Sequence, residues 1–340
     1  MRRAKRNQRT VLAIDIGGTK VAAGIVDGKG RILAEARVPM SARGSASEGL
    51  RSVFNAVEAL RKKSPKARPE CIGVSVAGWV DPERGVLIGA TNIPSWKTFP
   101  LAAALRKRYG IPALLSNDAN AAALAEAEWG AGKGYRNIFY VTLGTGIGTG
   151  IILNGKIHTG RTGAAGEGGH VTIDFHGPLC GCGKRGCIEV YASGTGIARR
   201  ARERLKREPR LRSQMRDLAG GRIDGVTAEI VSQAAKEGDH LAQEILEEAA
   251  DHLGIWMGTV VDLLEPEIFI LGGGVGHLMM KYQSRIRRQL ETWAIAPQRN
   301  KIPVVEARFG AESALAGAAV LCLASPDFGE GRNRRKSRSS

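Results

Sequence analysis

One pattern, written twice 127 residues apart, restricts the fold of this chain more than any other feature. Residues 10–38, TVLAIDIGGTKVAAGIVDGKGRILAEARV, alternate short apolar runs with glycine turns, which predicts three strands joined by hairpins. Residues 137–157, NIFYVTLGTGIGTGIILNGKI, again read as strand, Gly/Thr-rich turn, strand and Gly-Lys turn. In register, Gly17 falls on Gly144, Gly28 on Gly155 and Lys29 on Lys156, whereas Asp15 meets Thr142 and Asp27 meets Asn154. Two unrelated glycine hairpins can align this well. Position and length favour a duplication, with one copy opening each of two lobes, and 340 residues suit two lobes.

Between and after the copies, helices are expected over 47–63, 99–110 and 119–130, and strands over 71–78, 85–90 and 112–118. Helices over 193–217, 226–236 and 239–264 follow, the first interrupted at Pro209. A buried strand runs into a glycine turn at 265–276, another strand covers 302–309, and a helix over 312–324 closes the pattern. The formal charge of +17 concentrates in residues 2–9, 199–217 and 325–340. It reads as solvated faces and tails, with 1–9 and 325–340 disordered. Nonspecific affinity for polyanions stays open. No apolar run has the roughly 18–20 residues that span a bilayer, and the basic start lacks the apolar stretch of a secretory signal. The expected location is cytoplasmic, with no membrane partner.

The glycine turns carry the chemistry. Asp-Ile-Gly-Gly-Thr-Lys at 15–20 lacks the spacing of a nucleotide P-loop, and a strand follows it instead of a helix, which also excludes the dinucleotide fingerprint. Gly17, Gly18 and Thr19 can still offer N–H groups and a hydroxyl to a phosphate, and Asp15 can hold Mg2+ through water. Alone, this turn reads equally well as a bland hairpin. The second turn at 143–150 and a third glycine cluster at 271–276 together suggest a clamped nucleotide.

At this point DIGGTK, LGTGIGTG, GEGGH and CGCGKRGCIE, in that order, resemble the ROK family of repressors and sugar kinases over residues 10–324, and within it the bacterial glucokinases. The resemblance implies an α/β, two-lobed actin/hexokinase-like (ribonuclease H-like) fold with an interdomain cleft. It places residues 10–118 plus 311–324 in a small lobe and 119–310 in a large one. The implied activity is ATP- and Mg2+-dependent phosphorylation of a hexose, most simply glucose at its 6-hydroxyl. Nucleotide contacts would come from Asp15, Gly17, Gly18, Thr19, Lys20, Gly144, Thr145, Gly146, Gly272, Gly273 and Gly274. Asp118 would be the general base, although Asp and Asn are also ordinary helix caps. Asn92, Asn117, Glu167, His170 and Glu189 would contact the sugar, each being a plain polar loop residue when taken singly.

His170, Cys180, Cys182 and Cys187 supply one imidazole and three thiolates, a set that suits closed tetrahedral zinc. Their spacing matches the family's zinc motif. In a cytosolic chain a disulfide is not expected, and Cys71 and Cys322 read as small buried apolar residues. Kinases for N-acetylglucosamine, N-acetylmannosamine, mannose or fructose remain alternatives, as does polyphosphate as donor. A sugar-sensing regulator is a further one. Fourteen residues before Asp15 are too few for a helix-turn-helix module, so no sequence-specific nucleic acid is expected. Family likeness also implies a homodimer.

Overall fold

The computed structural model describes residues 9–90 and 93–325, which divide into two compact units. The first contains β1 (Thr10–Ile16), β2 (Lys20–Asp27), β3 (Ile32–Pro39), α1 (Ala46–Lys63), β4 (Ile72–Val76), β5 (Trp79–Asp81), β6 (Val86–Gly89), α2 (Leu101–Tyr109), β7 (Ala113–Asn117) and α3 (Asp118–Trp129). The second contains β8 (Ile138–Leu143), β9 (Ile147–Leu153), α4 (Glu189–Ala192), α5 (Gly194–Arg207), α6 (Gln214–Leu218), α7 (Ala228–Lys236), α8 (His240–Leu264), β11 (Ile268–Gly272), α9 (Gly273–Met279), α10 (Gln283–Trp293) and β12 (Val304–Glu306). The short strand β10 (Lys156–Ile157) joins its sheet, and α11 (Ser313–Ala324) returns to the first unit.

The doubled sequence pattern is a doubled topology. The first sheet has strand order β3-β2-β1-β4-β7 and the second β10-β9-β8-β11-β12. In each, an antiparallel hairpin (β1/β2, β8/β9) adjoins two strands that run parallel to its first member. The matched turns are built with different residues. Asp27 accepts the N–H groups of Lys29 and Arg31 in the first unit. At the matching place Asn154 and Gly155 take φ of 52° and 77°, the pair of left-handed residues a tight hairpin needs.

Why each helix sits where it does follows from side-chain size. α1 has a Ser45–Glu48 capping box and buries Val53, Ala56, Val57 and Leu60 against one face of the first sheet. On the other face α3 and α11 are rich in alanine, so their backbones come close to each other and to the sheet. A Cβ on Gly317 would lie 1.7 Å from the carbonyl oxygen of Ala121, and one on Gly73 would lie 1.7 Å from that of Ala318. Larger side chains would hold these elements apart.

This packing corrects two expectations. Residues 119–134 belong with the first unit, not the second, because α3 is fastened to α11; segment 157–165 also groups with the first unit. Cys71 and Cys322 are buried as expected, but they are not separate apolar thiols. Their Sγ atoms lie 2.27 Å apart in a disulfide, since the residue preceding β4 and the last turn of α11 meet in this small-residue layer. The expected disordered tails lie outside the described residues, apart from Arg9 and Ser325.

The bridge closes a sequence separation of 251 residues, for which chain entropy alone gives a ceiling of about 5.5 kcal/mol. Of five cysteines, three remain for alkylation. Intact-mass analysis after denaturation with chelator and without reductant is therefore expected to show three modified cysteines. Five would exclude the bridge. A Cys71→Ser/Cys322→Ser variant is expected to melt several degrees lower.

Candidate functional site

In the first unit the candidate residues collect at the carboxyl ends of parallel strands, where open α/β sheets place ligands. Register pairs Asp15 of β1 with Ser75 of β4, and Ser75 with Ser116 of β7; one residue further lies Asn117 and then Asp118. The turn at 17–19 is closed by the Gly17 N–H donating to the Lys20 carbonyl at 3.0 Å, and β2 follows it. Asn117 caps α3, its Oδ1 accepting the N–H groups of Ala119 and Asn120, while its Nδ2 donates to the Gly78 carbonyl. The cap reading thus applies to Asn117. Asp118 is the first helical residue, with Oδ1 accepting the Ala119 N–H at 2.9 Å. Asn92, expected at a sugar, lies outside the described residues.

Asp15 is the electrostatically unusual group. Burial, and then the nearby Asp118 carboxylate, push its carboxyl up to about 6, against the hydroxyl of Ser75 donating at 3.2 Å and the more distant charges of Lys20 and Arg37. Ser75 escaped the sequence reading, where it stood as one small residue in an apolar strand.

In the second unit three loops meet. Gly144 donates its N–H to the carbonyl of Gly146 and accepts from Gly194 at 2.8 Å, the first residue of α5. Ser193 caps that helix through the Gly196 N–H, so a helix N-terminus with its partial positive charge abuts the glycine turn. The hydroxyl of Thr195 donates to the carbonyl of Thr145 at 2.7 Å. Gly273 has φ +81°, and a Cβ there would lie 2.2 Å from the carbonyl of Leu143, so the third glycine cluster packs directly on the end of β8. Gly144, Thr145, Thr195 and Gly274 border a cavity of about 850 Å³ with Glu229 and Lys236 on its wall, room enough for a nucleotide. Gly146, Gly272 and Gly273 shape the turns without bordering it. Thr195, Glu229 and Lys236 were not found from sequence. The Ser-Gly-Thr-Gly run at 193–196 was the available signal, because it marks a helix start beside glycine.

Beside this cavity the GEGGH loop and the cysteine segment form a second cluster. Glu167 precedes a short turn of helix ending at His170. Glu189, at the start of α4, accepts the Ile147 N–H at 2.9 Å through Oε2, and its Oε1 lies 3.8 Å from His170 Nδ1. A Cβ on Gly146 would lie 2.6 Å from Glu189 Oε2, which explains glycine there. Ligand atoms of His170, Cys180, Cys182 and Cys187 all lie within 4.8 Å of one another. Cys180 Sγ is 3.6 Å from His170 Nδ1, and Cys182 Sγ is 3.7 Å from Cys187 Sγ. Zn–S near 2.3 Å and Zn–N near 2.0 Å imply tetrahedral edges of about 3.5–3.8 Å. The donor set therefore fits zinc. Burial pushes the Cys187 thiol up to about 12, whereas a backbone hydrogen bond from Lys184 holds the Cys182 thiol below its ordinary value.

These geometries belong to a known group of proteins. The chain matches the ROK family over residues 11–325, and it is a member of that family. It is 36% identical to a glucokinase of Streptomyces coelicolor over 311 residues, 91% of this chain and 96% of the relative. Identity to an N-acetylmannosamine kinase of Salmonella typhi is 34% over 314 residues, covering 92% and 98%. Among solved structures, the ROK glucokinase of Streptomyces griseus in complex with glucose and AMPPNP has 36% identity and a TM-score of 0.78, with coverage of 92% and 98%. The fold is accordingly the two-lobed actin/hexokinase-like one. No helix among the described residues is long and apolar enough to cross a membrane.

Two outcomes check the site. An unfolded Asp titrates near 4, so between pH 4 and 6 the folded chain binds the Asp15 proton more tightly. Ionising Asp15 therefore lowers stability progressively as pH rises through that window. Asp15→Asn is expected to raise the melting temperature at pH 7.5, by the equivalent of about 1–3 kcal/mol, and by about a third as much at pH 4.5. An equal shift at both pH values would remove the electrostatic account. Cys182→Ser is expected to release the metal, read as zinc per chain by atomic absorption, and to raise protease sensitivity within 166–189.

Proposed function

We propose that the chain is an ATP- and Mg2+-dependent hexose 6-kinase with glucose as its preferred acceptor. The observation that carries this reading is the placement of Asp118 at the junction of β7 and α3, beside Asp15 and the glycine turn, in a chain of this family. A carboxylate at the junction of a strand and a helix is of the residue type that can accept a substrate hydroxyl proton.

In the proposed reaction the 6-hydroxyl proton passes to Asp118 as O6 bonds to the γ-phosphorus. The bond from that phosphorus to the β–γ bridging oxygen breaks, and ADP departs. Such a transfer demands positioning and charge neutralisation more than covalent help from the protein. Gly17, Gly18, Thr19 and Lys20 would meet the phosphates, with Gly144, Thr145 and Gly274 around the rest of the nucleotide. Mg2+, held through water at Asp15, would neutralise phosphate charge. Asn117, Glu167, His170 and Glu189 would hold the sugar hydroxyls. Zinc on His170 Nδ1 and the three thiolates would have no open coordination position, so it would hold the loop and leave His170 Nε2 for the sugar. The ATP requirement points to the cytoplasm.

Similarity to an N-acetylmannosamine kinase supports a second acceptor class. The test is MgATP-dependent phosphorylation of glucose, mannose, fructose, N-acetylglucosamine and N-acetylmannosamine, with polyphosphate as a second donor. Glucose is expected to give the highest kcat/KM. Asp118→Asn is expected to lower kcat by 10²-fold or more while glucose still binds by calorimetry. A zinc-loaded enzyme that phosphorylates none of the five would overturn the kinase reading.

A further inference from the structure

The loop carrying Glu167 and His170 is seated on β9 by one buried side chain. Thr149 is 2% exposed. Its hydroxyl donates to the Gly166 carbonyl at 2.5 Å and accepts the Gly168 N–H at 3.0 Å. Those two groups belong to the peptide units on either side of Glu167. Fixing both peptide planes fixes φ and ψ of the residue between them, and so the direction of its Cα–Cβ bond.

Glu167 has φ −81° and ψ 45°, neither helical nor extended, so no repeating hydrogen-bond ladder holds it. Two glycines permit the close seating. A Cβ on Gly168 would lie 2.7 Å from Thr149 Oγ1, and one on Gly169 would lie 2.1 Å from the Ile147 carbonyl. The indole of Trp256 closes the same spot from the core, 3.2 Å from where a Gly168 side chain would start. The hydroxyl therefore works in a dry setting, where an unmade hydrogen bond is expensive and a made one is rigid.

We propose that Thr149 is a positioning residue for hexose recognition, acting through Glu167 and not touching the sugar. This rests on the reading that Glu167 binds the hexose. Thr149 does so by satisfying the two peptide groups that bracket Glu167, whereas the metal cage fixes the far end of the same loop at His170. Two independent fastenings, one hydroxyl and one cage, thus hold the two ends of a four-residue segment.

Thr149→Val keeps the shape and removes both hydrogen bonds; Thr149→Ser keeps the bonds and removes a methyl group. Three readouts decide. Hydrogen exchange of the zinc-loaded chain without substrate, followed on peptides spanning 166–170, is expected to quicken at least tenfold in the Val variant and to match wild type in the Ser variant. With glucose and MgATP, the Val variant is expected to raise the glucose KM about 10–100-fold, leave the ATP KM within about twofold, and retain zinc. The Ser variant is expected to stay within about threefold of wild type in both.

Unchanged exchange in the Val variant would overturn the proposal whatever the activity. So would a parallel rise of both KM values, or loss of zinc, since either means general loosening. If wild type phosphorylates no hexose but the exchange contrast is present, the clamp stands and the kinase reading falls. If wild type is a kinase and the Val variant keeps its glucose KM, the clamp does not serve recognition and the proposal falls.

Discussion

Parallel pairing of β1, β4 and β7 is the constraint on which the first unit depends. It brings together residues far apart in sequence: Asp15, Ser75 and Asn117 come from three strands that share one direction and one register, and Asp118 opens the helix that follows the last of them. The hairpin partner β2 then forces a turn just past Asp15, and that turn is where the glycines sit. In the second unit the same hairpin-then-parallel arrangement places Gly144 and Thr145 beside the end of β11 and its glycines. A repeated topology thus gives two turns of one kind with different side-chain duties. One carries a carboxylate at the strand end and the other a threonine.

The polar groups of the second unit are held by fastenings instead of by sheet geometry. GEGGH has no strand or long helix to define it. It draws its shape from the hydroxyl of Thr149, the N–H of Ile147 through Glu189, and the donor set of His170 and three cysteines. Glycine at 146, 168 and 169 is required because the loop, β9 and the Glu189 carboxylate approach within contact distance. Asp15 illustrates the opposite situation. Its sheet position is fixed so firmly that the carboxyl is kept where burial and Asp118 both oppose its charge.

Much of this was legible in the residues. The doubled hairpin, the closing helix and the spacing of the clustered cysteines are local patterns, and local patterns survive in a sequence. The Asp118 position could be read because a strand end meets a helix start there. Features that depend on distant partners were not legible. Ser75 matters only through register with Asp15, and Thr149 only through a loop that begins seventeen residues later. The Cys71–Cys322 bridge joins residues whose proximity is set by alanine packing between α3, α11 and the sheet. The extent of α3's unit had the same cause: glycine and alanine, unremarkable in a sequence, decide how near two backbones can come.

The late position of α11 also bears on how the chain is made. During synthesis β1 to α3 emerge first, yet the face of their sheet that α3 shares with α11 stays partly uncovered until nearly all of the second unit has been translated. The alanine-lined groove along α3 and the Cys71 thiol must wait through that interval. The second unit, continuous apart from one short excursion at 157–165, can complete its own core earlier. A chain that normally folds from its beginning would here finish with its beginning. The nascent first unit would spend the longest time with that groove exposed.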